Sequence, residues 1–177
     1  MKVLKFGGSS VGNAESIEKV AEIIRTASAE GPCAVVLSAM QGTTDDLIAA
    51  GRTAERGDDG FIETLSNIAD RHLKTIRAIF HNGQTLRVTE FVENTIKELE
   101  NLFEGVRLIR ELSPKTLDRI LSFGEIVSSR MVSAVLIESG LNNEWVDSRL
   151  VIRSDSNHGF AGVDFAETND RIKQHFQ

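Results

Sequence analysis

The feature that most constrains this chain is a strand–turn–helix–strand pattern within its first 38 residues. The segments KVLKF at 2–6 and CAVVLS at 33–38 are typical of short strands, the second a continuous apolar run of the kind buried in parallel sheets. Between them, a glycine-rich turn leads to a helix that Asn13 can cap and whose apolar residues share one face: Ile17, Val20 and Ile24. The pattern predicts a βαβ unit with two parallel strands.

The remaining segments predict further helices and two more strands. Helical spacing predicts a helix at about 43–55, then two antiparallel helices between about 60 and 112, the first ending at 81–83. Ser113-Pro114 opens another helix, which Gly140 closes, and a last helix starts near Asp164. Short strands are expected at 143–148 and 149–154. The expected class is therefore α/β with a mainly parallel sheet. The helices at 60–112 form an insert that packs on the core or, alternatively, present a partner-binding surface.

Composition and charge exclude several classes of protein. The 177 residues suffice for one domain, and the 26 acidic against 20 basic residues give a net charge of −6, which disfavours a general nucleic-acid binder. No segment reaches the ~20 apolar residues of a membrane span, so no membrane partner is expected. The single Cys33 cannot form an internal disulfide and fits a reducing, cytoplasmic location.

The first turn carries the chemistry of an anion site. In an open parallel sheet, ligands bind beyond the carboxyl ends of the strands, where GGSS follows the first strand. Gly7 and Gly8 allow an anion close to the backbone, their amides and those of the serines can form a nest, and Lys5 supplies a full positive charge. Together these groups can hold a polyphosphate and stabilise charge during phosphoryl transfer. The spacing matches neither the P-loop nor the dinucleotide fingerprint. The alternative is a tight βα turn with a solvated lysine.

A polar stripe marks the helix after Pro114. Ser122, Glu125 and Ser129 are spaced at i, i+3 and i+7, and Gly124 leaves room for a neighbour beside the carboxylate. A carboxylate there can pair with the ammonium group of an amino acid. The alternative is an exposed glutamate on an amphipathic helix.

No residues show the spacing of a metal site. The four histidines have no cysteine or carboxylate partners at metal-ligand spacing, so surface or packing roles are expected. Asp45 and Asp46 could bind Mg²⁺, but acids favoured by a helix dipole explain them better.

Four stretches, in order, resemble aspartokinases of the amino-acid kinase family. They are KFGGSSV at the N-terminus, VVLSAMQGTTDDL, LSFGEIVSSRM, and the segment with Asp147, Arg149 and His158-Gly159. The resemblance implies a three-layer amino-acid-kinase fold and ATP-dependent phosphorylation of the L-aspartate β-carboxylate. The product would be 4-phospho-L-aspartate, on the route to lysine, threonine and methionine.

The resemblance also implies roles for particular residues. Lys5 would be catalytic and would contact the ATP phosphates together with Phe6, Gly7, Gly8 and Ser9. Aspartate would be bound by three residues: Ser38, Thr44 and Glu125. Mg²⁺ would accompany ATP, and the full-length enzyme would be a homo-oligomer.

The resemblance covers only part of an aspartokinase. A second glycine-rich loop and the adenine and ribose pocket do not occur before Gln177, so 1–177 is expected to be an N-terminal portion of the catalytic domain, inactive alone. The opening and the helical insert favour the bifunctional aspartokinase–homoserine dehydrogenases. Two alternatives stay open: a non-catalytic α/β module that binds an anionic metabolite or a partner, and a sibling kinase with another substrate.

Overall fold

The computed structural model describes residues 1–80 and 84–176, which form a two-stranded parallel sheet and seven α-helices. The strands are β1 (Lys2–Phe6) and β2 (Cys33–Leu37), and a 3₁₀ turn (Gly8–Val11) follows β1. The α-helices are α1 (Ala14–Ala29), α2 (Thr43–Glu55), α3 (Phe61–Ile79), α4 (Gln84–Ile109), α5 (Pro114–Glu138), α6 (Ser148–Val151) and α7 (Phe165–His175). The predicted end of the third helix at 81–83 lies outside the described residues.

The predicted βαβ unit is confirmed. The strands pair in parallel with Lys2 opposite Cys33 and Phe6 opposite Leu37, and α1 connects them. Asn13 caps α1, because its Oδ1 accepts a hydrogen bond from the Ser16 amide.

The expectation that the second strand is buried is wrong for this part of the chain. One face of the sheet packs on the core through Leu4, Phe6, Val35 and Leu37. The other face is open, and Val3 and Val36 are 66% and 51% exposed. The β2 residues are therefore half-buried or exposed, because their side chains alternate between a covered face and an open one.

The helices at 60–112 pack on the rest of the chain. α3 and α4 contact each other and α2, and α4 also contacts α5. The predicted stripe along α4 is buried throughout: Val92, Ile96, Leu99, Phe103 and Val106. The packing interpretation of this insert is therefore confirmed.

The prediction of two strands at 143–148 and 149–154 is wrong. Residues 141–147 are irregular, and Ser148–Val151 form the single turn α6, which begins where the Asp147 carboxylate accepts from the Arg149 amide. An isolated antiparallel bridge joins Ser154 to Val163. β-branched and aromatic residues favour a strand only where a neighbouring strand pairs with them, and the local cap decides the structure here.

α5 is long and apolar enough to cross a membrane by length and composition. However, 61% of its most apolar window is buried inside the protein, as in the core helix of a globular domain.

His72 is a buried polar group in the helical core. Its side chain is 1% exposed, and Nδ1 lies 2.7 Å from the Ile68 carbonyl oxygen, so Nδ1–H donates this bond. Nε2 has no hydrogen-bond partner among the described residues. Burial lowers the pKa of His72 despite the bond to Ile68, and the positive charge of Arg71 lowers it further. The folded protein therefore holds this imidazole neutral.

This burial predicts a pH-dependent stability. Below the ordinary histidine pKa of about 6.5, the unfolded chain binds a proton at His72 that the folded chain does not, so the free energy of unfolding falls as the pH falls. The maximal contribution is about 1.4 kcal/mol per pH unit. Urea unfolding at pH 7.5 and 5.5, followed by the fluorescence of the single Trp145, measures it. The His72→Leu variant should lose less stability over this interval; an equal loss in both proteins would contradict the prediction.

Candidate active site

The first turn places Lys5 beside the glycine pair. The Lys5 Nζ lies 3.7 Å from the position that a Cβ on Gly7 would occupy, so the side chain folds back over the turn. Lys5 is exposed, on the open face of the sheet with Val3, and makes no ion pair within 1–80 and 84–176. The ammonium group is therefore available to an anion at the turn.

Gly8 brings this turn against the loop that follows β2. A Cβ on Gly8 would lie 2.8 Å from the Ala39 carbonyl oxygen, so only glycine fits without a backbone shift. The Ser38 amide donates to the Phe6 carbonyl oxygen at 3.1 Å, which extends the pairing of the two strands by one bond. The loops that follow β1 and β2 therefore meet at the carboxyl edge of the sheet.

The helix after the first turn contributes little positive charge to this turn. A 3₁₀ turn separates the glycines from α1, and the first turn of α1 is already capped by Asn13. The positive end of α1 is thus partly satisfied by the chain itself.

The loop after β2, residues 38–42, is called the second loop and leads into the N-terminus of α2. Gly42 holds the N-cap position with φ of +82°, a conformation that glycine adopts readily, and provides no side-chain cap. Thr43 is buried, whereas Thr44 is exposed in the first turn of the helix. The Thr44 hydroxyl and the first-turn amides can therefore bind an anion.

α5 joins this loop through the predicted glutamate and an adjacent serine. The Glu125 Oε1 accepts from the Ala39 amide at 3.3 Å, and the Ser128 Oγ donates to the Ser38 carbonyl oxygen at 2.6 Å. A Cβ on Gly124 would lie 2.7 Å from the Ala39 Cβ, so glycine permits this close approach. Glu125 itself remains exposed, with its carboxylate at the junction of the two loops.

Sequence reasoning missed Ser128 as a site residue. Its side chain lies on the buried face of α5 and is fully inaccessible to solvent. The two serines of the predicted stripe, Ser122 and Ser129, bind the segment after α5 instead. Ser122 accepts from Arg149 Nη1 at 3.3 Å, and Ser129 accepts from Trp145 Nε1 at 2.9 Å. The signal that could have found Ser128 is its position three residues after Glu125, on nearly the same face of the helix.

Asp147, Arg149 and His158 belong to the fourth stretch of the resemblance, and they bond to one another or to α5. Arg149 donates to both carboxylate oxygens of Asp147, and these bonds lower the pKa of Asp147 despite its partial burial. His158 Nδ1 lies 3.1 Å from Asp118 Oδ2, near the start of α5. Within the described residues, the hydrogen bonds of these side chains therefore reach α5 and not the two loops.

Metal coordination is not indicated by the part of the chain described. There, no group of three or more His, Cys, Asp and Glu side chains is placed to hold a metal ion. Asp46, a candidate from the sequence, instead pairs with Arg71 from α3, the Oδ2–Nη2 distance being 2.7 Å.

The arrangement places opposite charges around one loop. Lys5 and the N-terminus of α2 supply positive charge, and Glu125 supplies a carboxylate. Gly8 packs against Ala39 of the second loop, and the Glu125 carboxylate accepts a hydrogen bond from the Ala39 amide. The first turn and Glu125 therefore both contact this loop. Such a junction can bind a zwitterionic molecule beside an anion.

Comparison with known proteins identifies the family to which this chain belongs. The model of the amino acid kinase family matches residues 1–177, and the chain belongs to this family.

Several relatives are aspartokinases. The chain is 37% identical over 149 residues to aspartokinase 1, chloroplastic, of Arabidopsis thaliana, covering 82% of this chain and 25% of that protein. It is 29% identical over 175 residues to the chloroplastic bifunctional aspartokinase/homoserine dehydrogenase 2 of the same plant, covering 98% and 19%. The chain thus spans a quarter or less of the length of these relatives.

A solved structure has the same fold. Escherichia coli aspartokinase III in complex with aspartate and ADP superposes with a TM-score of 0.88 at 26% identity, over 99% of this chain and 37% of that one. The predicted fold class, a truncated amino-acid-kinase fold, is confirmed.

The Gly124 contact yields a stability prediction. In Gly124→Ala, the new Cβ overlaps Ala39, so α5 must move from the second loop, which we expect to cost about 1–3 kcal/mol of unfolding free energy. Urea denaturation measures this cost. Gly105→Ala in α4 is the matched control, because a Cβ there meets nothing within 4 Å and alanine favours the helix by about 0.5–1 kcal/mol. If both variants are stabilised alike, the close approach at Gly124 is wrong.

Proposed function

We propose that the polypeptide carrying this chain phosphorylates the β-carboxylate of L-aspartate with ATP, giving 4-phospho-L-aspartate and ADP. The observation that carries the proposal is the meeting of three elements at Ala39: the glycine turn with Lys5, the loop that leads to Thr44, and the helix with Glu125. The aspartokinases among the relatives, and the aspartate and ADP in the related structure, support this choice of substrates.

In this proposal the first turn binds the ATP phosphates. The amides of Gly7, Gly8 and Ser9 face the phosphate oxygens, and Lys5 stabilises the charge on the transferred group in the transition state. Phe6 contributes only its backbone, because its side chain packs on the core face of the sheet. Mg²⁺ would enter with ATP as a counterion of the phosphates, because the described residues contain no group of three or more metal-ligating side chains.

Aspartate is held from both ends. The Glu125 carboxylate pairs with the ammonium group, while Ser38, Thr44 and the N-terminus of α2 bind carboxylate oxygens. A β-carboxylate oxygen attacks the γ-phosphorus in line, the bond from phosphorus to the bridging oxygen breaks, and ADP leaves. The protein's contribution is alignment and charge stabilisation.

The proposal extends to the pathway, location and oligomeric state of the enzyme. The product would feed the synthesis of lysine, threonine and methionine, and we place the enzyme in the cytoplasm as a homo-oligomer. Both monofunctional and bifunctional aspartokinases are among the relatives, so the favoured link to the bifunctional group stays a prediction.

An assay of the natural polypeptide tests the reaction. ATP, Mg²⁺ and L-aspartate should give ADP together with an acyl phosphate that hydroxylamine traps as the hydroxamate. L-glutamate, N-acetylglutamate and a nucleoside monophosphate serve as alternative acceptors. Turnover with one of them and not with aspartate would indicate a sibling kinase, and ligand binding without turnover would indicate the non-catalytic module.

Lys5 yields the first kinetic prediction. Lys5→Ala removes a charge that acts mainly in the transition state, so kcat should fall by a factor on the order of 10²–10³ with little change in the KM for aspartate. Steady-state kinetics with each substrate varied separate the two constants. Lys2→Ala, at the other end of β1, is the matched control, since Lys2 pairs with Glu30 instead. A near-normal kcat for Lys5→Ala would assign Lys5 to the solvated surface.

Glu125 yields a prediction about aspartate binding. Glu125→Gln keeps an acceptor for the Ala39 amide and removes the charge that faces the ammonium group. Loss of one charge-assisted contact should weaken aspartate binding by about 1.5–3 kcal/mol, roughly 10- to 150-fold. ATP affinity should change little. Isothermal titration with each ligand measures both, and Glu98→Gln on α4 is the control. Unchanged aspartate affinity with a lowered melting temperature would make Glu125 a structural residue.

A further inference from the structure

One side chain of the helical insert reaches the start of α2. Arg71 on α3 donates from Nη2 to Asp46 Oδ2 at 2.7 Å and to Thr43 Oγ1 at 3.3 Å. Its Nη1 lies 3.7 Å from the position of a Cβ on Gly42. The guanidinium therefore lies along the N-cap and first turn of α2, with its two hydrogen-bond partners one residue before and two residues after Thr44.

Stability alone does not explain an arginine at this position. The Arg71 Nε is buried and has no hydrogen-bond partner in the described part of the chain, which is unfavourable. A cation beside a helix N-terminus is also opposed by the helix dipole. The ion pair with Asp46 offsets these costs only in part, because it is screened by solvent: the Arg71 side chain is 34% exposed and the Asp46 side chain 39%. Residues that break the rules of stability in this way often serve a site.

Thr43 transmits the position of Arg71 to the site. Its side chain is buried between Arg71 and α5, with Cγ2 3.4 Å from the position of a Cβ on Gly124. Thr43 precedes Thr44 in the same helical turn, so the bond from Arg71 fixes the direction in which the Thr44 hydroxyl and the first-turn amides point.

Charge adds to this effect of geometry. The first turn of α2 carries Asp45 and Asp46, whose negative charges oppose the binding of a carboxylate there. Arg71 compensates Asp46 directly and leaves its Nη1 toward Gly42. The N-terminus of α2 thereby stays favourable for an anion.

We propose that Arg71 is a positioning residue for the substrate carboxylate, which it serves by holding Thr43 and Asp46 at the N-terminus of α2. The inference rests on the proposed function. It makes the α3–α4 insert part of the substrate site and not only a packing element.

The test is steady-state kinetics of the natural polypeptide with L-aspartate and ATP varied separately. Arg71→Met keeps much of the side-chain volume and removes every donor, so Thr43 and the N-terminus of α2 lose this support and the KM for aspartate should rise about 10-fold. kcat and the KM for ATP should stay within about twofold, because in this proposal the N-terminus of α2 holds the substrate carboxylate equally in the ground and transition states. Arg71→Lys keeps the charge but not the fork, and should give an intermediate KM.

Two further variants make the result decisive. Arg119→Met removes another interhelical arginine, which donates to Glu98 on α4 at 3.0 Å, and should leave the KM for aspartate unchanged. Thr43→Val removes the hydroxyl that accepts from Arg71 without changing the charge, and should raise the KM for aspartate about 3-fold or more, even if Arg71→Met fails to fold. In a double variant, the two effects should not add, since both remove the same contact.

The outcomes separate this inference from the function on which it rests. A wild-type polypeptide that forms no ADP with aspartate overturns the proposed function. A wild-type polypeptide that is active, with Arg71→Met and Thr43→Val both showing an unchanged KM for aspartate, overturns the role of Arg71 alone. A selective rise in this KM, partly rescued by lysine, supports it.

Discussion

The arrangement of the candidate site depends on one buried residue of a loop, Ala39. Its amide is bonded to the Glu125 carboxylate, its carbonyl oxygen lies against Gly8, and its Cβ meets Gly124. A loop buried this deeply must find partners for its backbone groups, because unpaired buried amides are costly. The partner for this amide is a side chain 86 residues further along the chain. The contact fixes α5 against the βαβ unit, and with it the distance between the two charged sides of the site.

The helical core around this junction contains several polar groups. Thr43, His72 and Ser128 are all nearly inaccessible to solvent. Ser128 is satisfied by the Ser38 carbonyl oxygen, whereas His72 is satisfied only at Nδ1. An apolar core of the same shape would hold helices together as well. Thr43 and Ser128 instead bond to groups that shape the second loop and α2, which indicates that part of this core serves the site.

The success of sequence reasoning varied with the range of the forces involved. Caps are local, so Asn13 before α1 and Asp164 before α7 were correctly placed. Helical periodicity predicted α2, and the stripe of α4 is buried as expected. The strands predicted at 143–154 were wrong, because Trp145 and Val146 have strand propensity but no strand pairs with them there. For the site, the motifs selected Lys5, Thr44 and Glu125, whose roles stay predictions, but gave no sign of Arg71, whose partners are 25 and 28 residues away.

By itself, the sequence determined the elements that local chemistry specifies: a short apolar strand, a glycine turn with a lysine before it, capped helices and a glutamate beside a glycine. It also determined membership of the amino acid kinase family, since the matching segments occur in order along the chain. Only the tertiary structure decided that Gly8, Ala39 and Gly124 meet, that Ser128 bonds to the second loop, and that Arg71 reaches α2. The physical reason is that such contacts join residues far apart in sequence, and the packing of whole helices sets their positions, which no local pattern encodes.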